Sequence, residues 1–496
     1  MSNRKASPFR WISNTLRTEP SDSLEPTPRI HESMDHSQYF SKITLYSLAL
    51  GCLYYLAGIV SLSAQSAQTG ITPLWLPSGI AFAAFFIYGI KLWPGVFLGM
   101  FLLAYHVGIP AHVAGIAAFG SILEAAVPVL LLRQLGFLPA LDKVKSVLSF
   151  TLLAVILGPT LSATIGILAF SRVMGELSAP STTLWFFWWL GNSIGVVTLG
   201  AFLLSWYRNW RVTLRTSTEL FLLGVAQGMA VYVAVSDAEQ ALSVLLLFLT
   251  TPILIFSALR HGSRGVTLLS LTAVTAFFIT GSWIEPESFN RADINYLIID
   301  IAYVAVAVFT GLIVAAAFTE QSQYQSLRFR ANHDHLTKLF NHAQFMEYLE
   351  MALSTAKEEA TTHYLLFLDL DDMKTINDMA GHEAGNQLIR HTAEIIRNAI
   401  RQQDIAGRVG GDEFAVLLRD CHWEFASALA EEIRRNIAAT PFEWEGHAYD
   451  ARISIGGKLV DGSVTDAEKL MNAAEDACYR AKQRGGDRAI LLSPTP

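Results

Sequence analysis

Apolar positions fall into two regimes along this chain. From about residue 42 to 318 they come in long blocks, and from about 319 onward they shorten into periodic runs between charged stretches. Blocks of roughly 20 apolar residues match the hydrocarbon thickness of a bilayer. About ten candidate spans are centred near Leu53, Phe82, Gly99, Ala117, Leu157, Ile194, Gly228, Leu247, Thr275 and Ala305. Several are interrupted by Gly or Pro, which helices inside a bundle tolerate because neighbours satisfy the freed backbone groups. The pattern predicts a polytopic α-helical membrane bundle over residues 41–318, preceded by a disordered cytoplasmic tail over 1–40 with no early apolar stretch for a cleaved signal peptide.

After the last span, TEQSQYQSLRFRAN carries no Pro or Gly and predicts a helical connector over 319–332. The remaining 333–496 then alternates. AQFMEYLEMALSTAKEE puts Phe345, Leu349, Ala352 and Leu353 on one helical face, and NQLIRHTAEIIRNAI does the same with Leu388, Thr392, Ile395 and Ile396. HYLLFLDLD reads as a buried strand ending in acids. IAGRV and FAVLL flank Gly410-Gly411 as a hairpin. A helix from about Trp423, a strand at ARISIGGKLV, a helix over about Asp466 to Gln483 and a strand at RAILL complete the run. The order β-α-β-β-α-β, with one more helix and strand, predicts a cytoplasmic α/β domain of ferredoxin type.

Composition sharpens this picture. Of 496 residues, 52% are hydrophobic and 16% charged, and the mean hydropathy is +0.36, too apolar for a wholly soluble chain. A net charge of −7 leaves no basic footprint, so no nucleic-acid partner is expected. The cysteines Cys52, Cys421 and Cys478 have no metal-ligand spacing and suggest free thiols in a reducing compartment. Charge between the spans alternates. Lys91, Arg133, Lys143, Lys145, Arg208, Arg211, Arg215, Arg260 and Arg264 fall in one set of loops, against Arg172 and Arg291 in the other. The positive-inside rule assigns the first set, and with ten spans both termini, to the cytoplasm of a bacterial inner membrane.

Candidate chemistry lies in both halves. Glu124 and Asp300 sit inside apolar spans, where an ionisable group costs much unless paired. They are open to two readings, a signal or proton site, or a paired or protonated carboxyl that holds the bundle. The cluster Trp185, Trp188 and Trp189 suits an interfacial belt better than a ligand cage. In the second half, GRVGGDEFAVLL places two glycines before two acids. On neighbouring strands, Asp369 and Asp412 can hold a divalent cation through hard carboxylate oxygens, with substrate phosphates completing its shell. The glycines let a backbone approach phosphate closely. Alone, the motif fits a solvated surface hairpin equally well.

Two resemblances add to this reading. TPLWLPSGIAFAAFFIYGIKLWPGVFLG and FFWWLGNSIGVVTLG resemble the MASE-type membrane-associated sensors of bacteria, which implies an unknown signal ligand at the membrane domain; Asn192 stands where that family more often has an acid. DHLTKLFN, DLDDMKTINDMAGHEAGN and GRVGGDEF, in this order, closely resemble the GGDEF family of diguanylate cyclases. That resemblance implies a nucleotidyl-cyclase fold, GTP as substrate, magnesium or manganese as cofactor, and a homodimer through the cyclase domain. It implies metal ligation by Asp369, the Leu370 carbonyl, Asp412 and Glu413, with Asp412 as general base and Glu413 its catalytic neighbour. Lys374 and Lys482 would contact phosphate beside Gly410 and Gly411, and Asn377 and Asn386 the guanine. Asp334, Leu336, Thr337, Leu339 and Asn341 match the motif that opens the domain, and Arg401 and Asp404 of RQQD match an inhibitory product site. Three positions depart from the family. Asn386 replaces an Asp, Gly486 an Arg that contacts phosphate, and His342 an Arg. The alternative implied is a catalytically weak receptor for GTP or cyclic di-GMP. No internal repeat supports a transporter, and no phosphodiesterase motif of the EAL type is visible.

Overall fold

The computed structural model describes residues 36–63, 72, 74–173, 180–207, 212–236, 250–280, 294–440, 442–461, 463–464 and 466–492. It divides into two compact units, Met1–Ser322 and Gln323–Pro496. The expected tail lies outside the described residues up to residue 35, as does the span expected near Leu247.

The first unit is helical. It contains α1 (His36–Leu62), α2 (Leu76–Tyr88), α3 (Trp93–His106), α4 (Ala111–Gln134), α5 (Val144–Phe150), α6 (Gly158–Val173), α7 (Ser181–Gly195), α8 (Ala201–Trp206), α9 (Leu214–Ser236) and α10 (Thr250–Ile279). Helix α11 (Ile294–Asn332) begins in this unit and ends in the next. π-helical turns at Thr151–Leu157 and Val196–Gly200 join α5 to α6 and α7 to α8. Among the described residues, six helical stretches are long and apolar enough to cross a membrane: Phe40–Leu62, Ala111–Gln134, Val144–Ser171, Ser181–Trp206, Thr250–Ile279 and Ala302–Asn332. Each expected span centre that falls within the described residues lies in a helix. The spans expected near Phe82 and Gly99 are the short α2 and α3, whose 13 and 14 residues rise only about 20 Å, and the helix around Gly228, α9, is not among the six. Phe82 and Phe85 on α2 are almost wholly buried, so α2 is an internal helix of the bundle.

Two glycine-rich stretches that stand out in the sequence pack on each other. The Trp75 N–H donates to the Gly191 carbonyl at 3.1 Å. A Cβ on Gly79 would lie 2.3 Å from the Gly195 carbonyl oxygen, and one on Gly195 would lie 2.0 Å from that of Trp75. Only glycine permits this backbone contact. The Trp cluster turns toward neighbouring helices. Trp185 Nε1 donates to Thr164 Oγ1 and Trp189 Nε1 to the Ile156 carbonyl.

The second unit is a mixed sheet covered on both faces. Its strands are β1 (Phe340–Asn341), β2 (His363–Leu370), β3 (Ile405–Arg408), β4 (Glu413–Leu418), β7 (Ile453–Val460) and β8 (Ala489–Leu491), in the order β1-β3-β4-β2-β7-β8. β2 pairs antiparallel with both β4 and β7. Leu366, Leu368 and Leu370 point into one core with α14 (His382–Ala399) and α15 (Trp423–Ala439). Leu365 and Phe367 point into the other with α12 (His342–Glu359) and α16 (Ala467–Gln483). Burial on both faces explains why this strand reads as an unbroken apolar run. Two features differ from expectation. Met373–Ala380 forms its own helix, α13, split from α14 by Gly381 at φ +84°. A small hairpin, β5 (Phe442–Trp444) with β6 (His447–Tyr449), turns at Glu445-Gly446 with φ +49° and +81°. Its strands of three residues are too short to leave a periodic signature.

Candidate active site

Strand pairing brings the acids together. Asp369, near the end of β2, is in register with Glu413 at the start of β4 on one side and with Ser454 of β7 on the other. The Leu370 N–H donates to the Asp412 carbonyl at 3.3 Å, fixing the hairpin against the strand end. From the last turn of α16, Lys482 Nζ reaches Asp369 Oδ1 at 2.6 Å. Burial raises the pKa of Asp369 despite Lys482, and Asp412 and Asp371 push it further. Burial also raises that of Glu413, with Asp369, Glu475 and Asp412 adding repulsion. Burial opposes the charge on Lys482, but Asp369 and Asp371 outweigh it and raise its pKa. The corner therefore holds more negative charge than its one close lysine offsets.

The two glycines have different tasks. A Cβ on Gly410 would sit 1.8 Å from Glu413 Oε2, so the glutamate lies over it. A Cβ on Gly411 would meet nothing within 4 Å, which leaves an open approach. Arg408 holds this turn. Its Nε and Nη2 donate to the Gly411 carbonyl at 3.0 and 2.6 Å, and its Nη1 donates to Asp334 Oδ1 and Oδ2 at 3.1 and 3.2 Å. Burial works against the charge of Asp334, but Thr337 and Arg408 outweigh it and hold the carboxyl below its usual range. The opening motif thus reaches the glycine hairpin through Arg408, a residue inside the quoted motif to which sequence reasoning gave no role.

Asp371 was missed as well. Its carboxylate accepts from Ser454 Oγ and from the Asp487 N–H, both at 2.8 Å, tying β2, β7 and the turn after α16. Gly486, at φ +69°, passes so close that a Cβ would lie 2.9 Å from Asp371 Oδ2. The departure from Arg there fits this turn, and Arg488 Nε folds back to the Gly486 carbonyl.

The remaining expected residues fall in three places. Lys374 is exposed in the first turn of α13. Asn377 packs on Gly385, next to Asn386, so the two expected guanine readers share one corner. Asn386 Nδ2 donates to Glu383 Oε2 at 3.5 Å. Arg401 and Asp404 lie before β3. The Arg401 guanidinium stacks 3.5 Å from the centroid of Phe425, and the buried Asp404 carboxylate accepts from the Arg401 and Arg419 N–H groups. In the first unit, Glu124 is buried and accepts from Asn192, whereas the Asp300 side chain falls outside the described residues.

Among the described residues, no group of three or more His, Cys, Asp or Glu side chains forms a complete metal cage. Asp369, Asp412, Glu413 and the Leu370 carbonyl nevertheless suit magnesium, which takes one or two carboxylates and leaves the rest of its shell to water and phosphate. The raised pKa values of Asp369 and Glu413 mark a place where added positive charge is favourable.

Fold and site define a chain with an apolar helical unit and a mixed-sheet domain whose acids converge on a glycine hairpin. The chain belongs to the MASE1 family, which matches residues 46–322, and it carries a GGDEF domain, described as diguanylate cyclase, at residues 331–488. It is 34% identical over 203 residues to the probable diguanylate cyclase DgcE of Escherichia coli K12, covering 41% of this chain and 18% of that protein. It is 31% identical over 255 residues to the bifunctional diguanylate cyclase/cyclic di-GMP phosphodiesterase MucR of Pseudomonas aeruginosa, covering 46% of this chain and 37% of that one. The chain thus spans well under half the length of both. The crystal structure of the coiled coil and GGDEF domain of DgcB from Caulobacter crescentus, in complex with c-di-GMP, is 28% identical. That match covers 35% of this chain and 91% of the other, with a TM-score of 0.33.

Proposed function

We propose that this chain is a membrane-bound diguanylate cyclase that condenses two GTP into cyclic di-GMP and two pyrophosphates under control of its MASE1 unit. The observation that carries the reading is the convergence of Asp369, Asp412, Glu413 and Lys482 at one end of the sheet beside an open glycine turn. Asp369, the Leu370 carbonyl, Asp412 and Glu413 would hold magnesium or manganese. Such an ion would neutralise phosphate charge as the new bond forms. Lys374 and Lys482 would bind phosphate oxygens, and Asn377 and Asn386 would orient guanine. Asp412 would accept the proton of the 3′-hydroxyl. That oxygen bonds to the α-phosphorus of a second GTP, and pyrophosphate leaves with the electron pair of the broken bond. Two domains, each holding one GTP, must face each other, so a homodimer belongs to the chemistry.

The apolar helices and the bias of basic residues support a multi-pass protein of the bacterial inner membrane with both termini cytoplasmic. The second reading, a receptor that binds GTP or cyclic di-GMP without turnover, draws support from Asn386 and from Gly486 in place of an arginine.

Incubating the full-length protein with GTP and magnesium, and measuring cyclic di-GMP, separates the two. Product should form, and Asp412→Asn should lower its rate by several orders of magnitude. Asp412 is half-exposed in a turn, so the fold should persist. Near-normal turnover by this variant would overturn the assignment; nucleotide binding without product would favour the receptor.

A further inference from the structure

The first unit contains a cavity of about 470 Å³ between α1, α3, α4, α6 and α7. Its walls are apolar and strongly aromatic, with Trp75, Phe170, Phe187 and Trp188 among them, and Ser121 and Asn192 supply a polar patch. This volume lies in the range of pockets that hold small organic ligands.

Asn192 is 3% exposed, and its hydrogen bonds decide what that patch can offer. Its Nδ2 donates to Glu124 Oε2 at 2.9 Å and to Ser162 Oγ at 3.4 Å, which uses both amide hydrogens. Only the carbonyl oxygen of the amide remains, and it is an acceptor. Ser121 donates its hydroxyl hydrogen to the Ala117 carbonyl at 3.2 Å, and the buried Tyr54 hydroxyl lies beside it. Behind them Glu124 is 4% exposed, with Ser78 and Ser162 beside its carboxyl as well as Asn192. In the structure the Asn192 NH₂ turns toward Glu124, which sets the orientation of the amide. Glu124 is therefore a positioning residue.

We propose that this cavity binds an aromatic, membrane-soluble molecule that carries a hydroxyl or N–H donor, such as a phenol, a hydroquinone or an indole. The rings on the walls favour a flat aromatic body, and the polar patch requires a donor. That such binding would regulate the cyclase rests on reading the first unit as a sensor.

The test uses the full-length chain in lipid nanodiscs with tritiated 2-naphthol and its donor-free methyl ether, 2-methoxynaphthalene. Protein-free nanodiscs report partition into lipid. The naphthol should show saturable binding, and the ether should bind at least about tenfold more weakly, because a site built around a hydrogen bond rejects the analogue that lacks it. Asn192→Leu should remove the preference for the naphthol. Ala104→Phe, which fills the cavity from α3 and leaves the polar patch intact, should weaken both probes. The comparison of the two probes on the unaltered protein needs no variant, so misfolding of either variant leaves the proposal exposed. Binding no greater than partition, or equal binding of naphthol and ether, would overturn it. Saturable, donor-dependent binding that leaves cyclic di-GMP formation unchanged would support the cavity and sink the sensor reading. Absence of such binding, while the cyclase still responds to changes in the connector helix, would sink the cavity alone.

Discussion

Single residues divide here by whether their polar atoms are already engaged. Both oxygens of Asp404 accept backbone N–H groups inside the fold, while the exposed Arg401 guanidinium sits 3.5 Å from the Phe425 ring centroid. The two members of RQQD should therefore respond differently. Arg401→Ala should abolish inhibition by added cyclic di-GMP with little change in initial rate. Asp404→Ala should also cost stability, about 1–3 kcal/mol, because it removes a charged acceptor from two part-buried backbone donors. Product titrations and denaturant unfolding of both variants check this. Equal stability loss in both would make the pair purely structural. Glu413 gives a pH prediction. Its folded pKa is raised above the unfolded value by burial and by Asp369, Glu475 and Asp412. Its favourable contribution is thus fully present below the unfolded pKa of about 4.3 and is lost as pH rises through the folded value. Glu413→Gln should raise the unfolding temperature of the C-terminal unit at pH 7 and leave it nearly unchanged at pH 4. A variant no more stable than the parent at pH 7 would count against this charge crowding.

At the scale of elements, α11 is the informative one. It runs unbroken from Ile294 to Asn332, and its last turns carry the exposed Tyr324, Leu327 and Phe329. Each inserted residue would rotate the cyclase domain by about 100°, given about 3.6 residues per turn. Two residues inserted between Thr319 and Arg330 should disturb the facing of paired cyclase domains, and seven, close to two turns, should largely restore it. Cyclic di-GMP in cells at matched membrane levels is the readout. A flat response to insertions of one to seven residues would mean that the segment only tethers. Past α11, the Asp334–Arg408–Gly411 link gives this end of the helix a direct hold on the glycine hairpin.

For the whole molecule, the proposed chemistry needs two chains. The connector carries apolar side chains that one copy leaves largely uncovered, with exposures of 61% for Tyr324 and 64% for Leu327. A second copy is the simplest cover for them. Specific activity should therefore fall when the detergent-solubilised protein is diluted, and a cross-linked dimer should resist the fall. Activity per chain that stays constant down to fully monomeric protein would exclude the facing-domain mechanism.

The sequence by itself determined the division into an apolar and a periodic half, the strand ending at Asp369, the hairpin at Gly410-Gly411 and the helices around them. These come from local patterns, since burial of one face or of both imposes a period or an unbroken apolar run. It also revealed the family, because motif residues are close together along the chain. It left α13 merged with its surroundings and overlooked β5 and β6, where elements are too short for periodicity to build. Contacts between distant residues were decided only by tertiary structure. Lys482 against Asp369, Arg408 against Asp334, Asp371 across to Asp487, and Asn192 against Glu124 each join residues at least 68 positions apart. No local pattern encodes such pairs. They arise when packing brings strand ends and helix faces together and leaves buried polar groups with only each other to satisfy them.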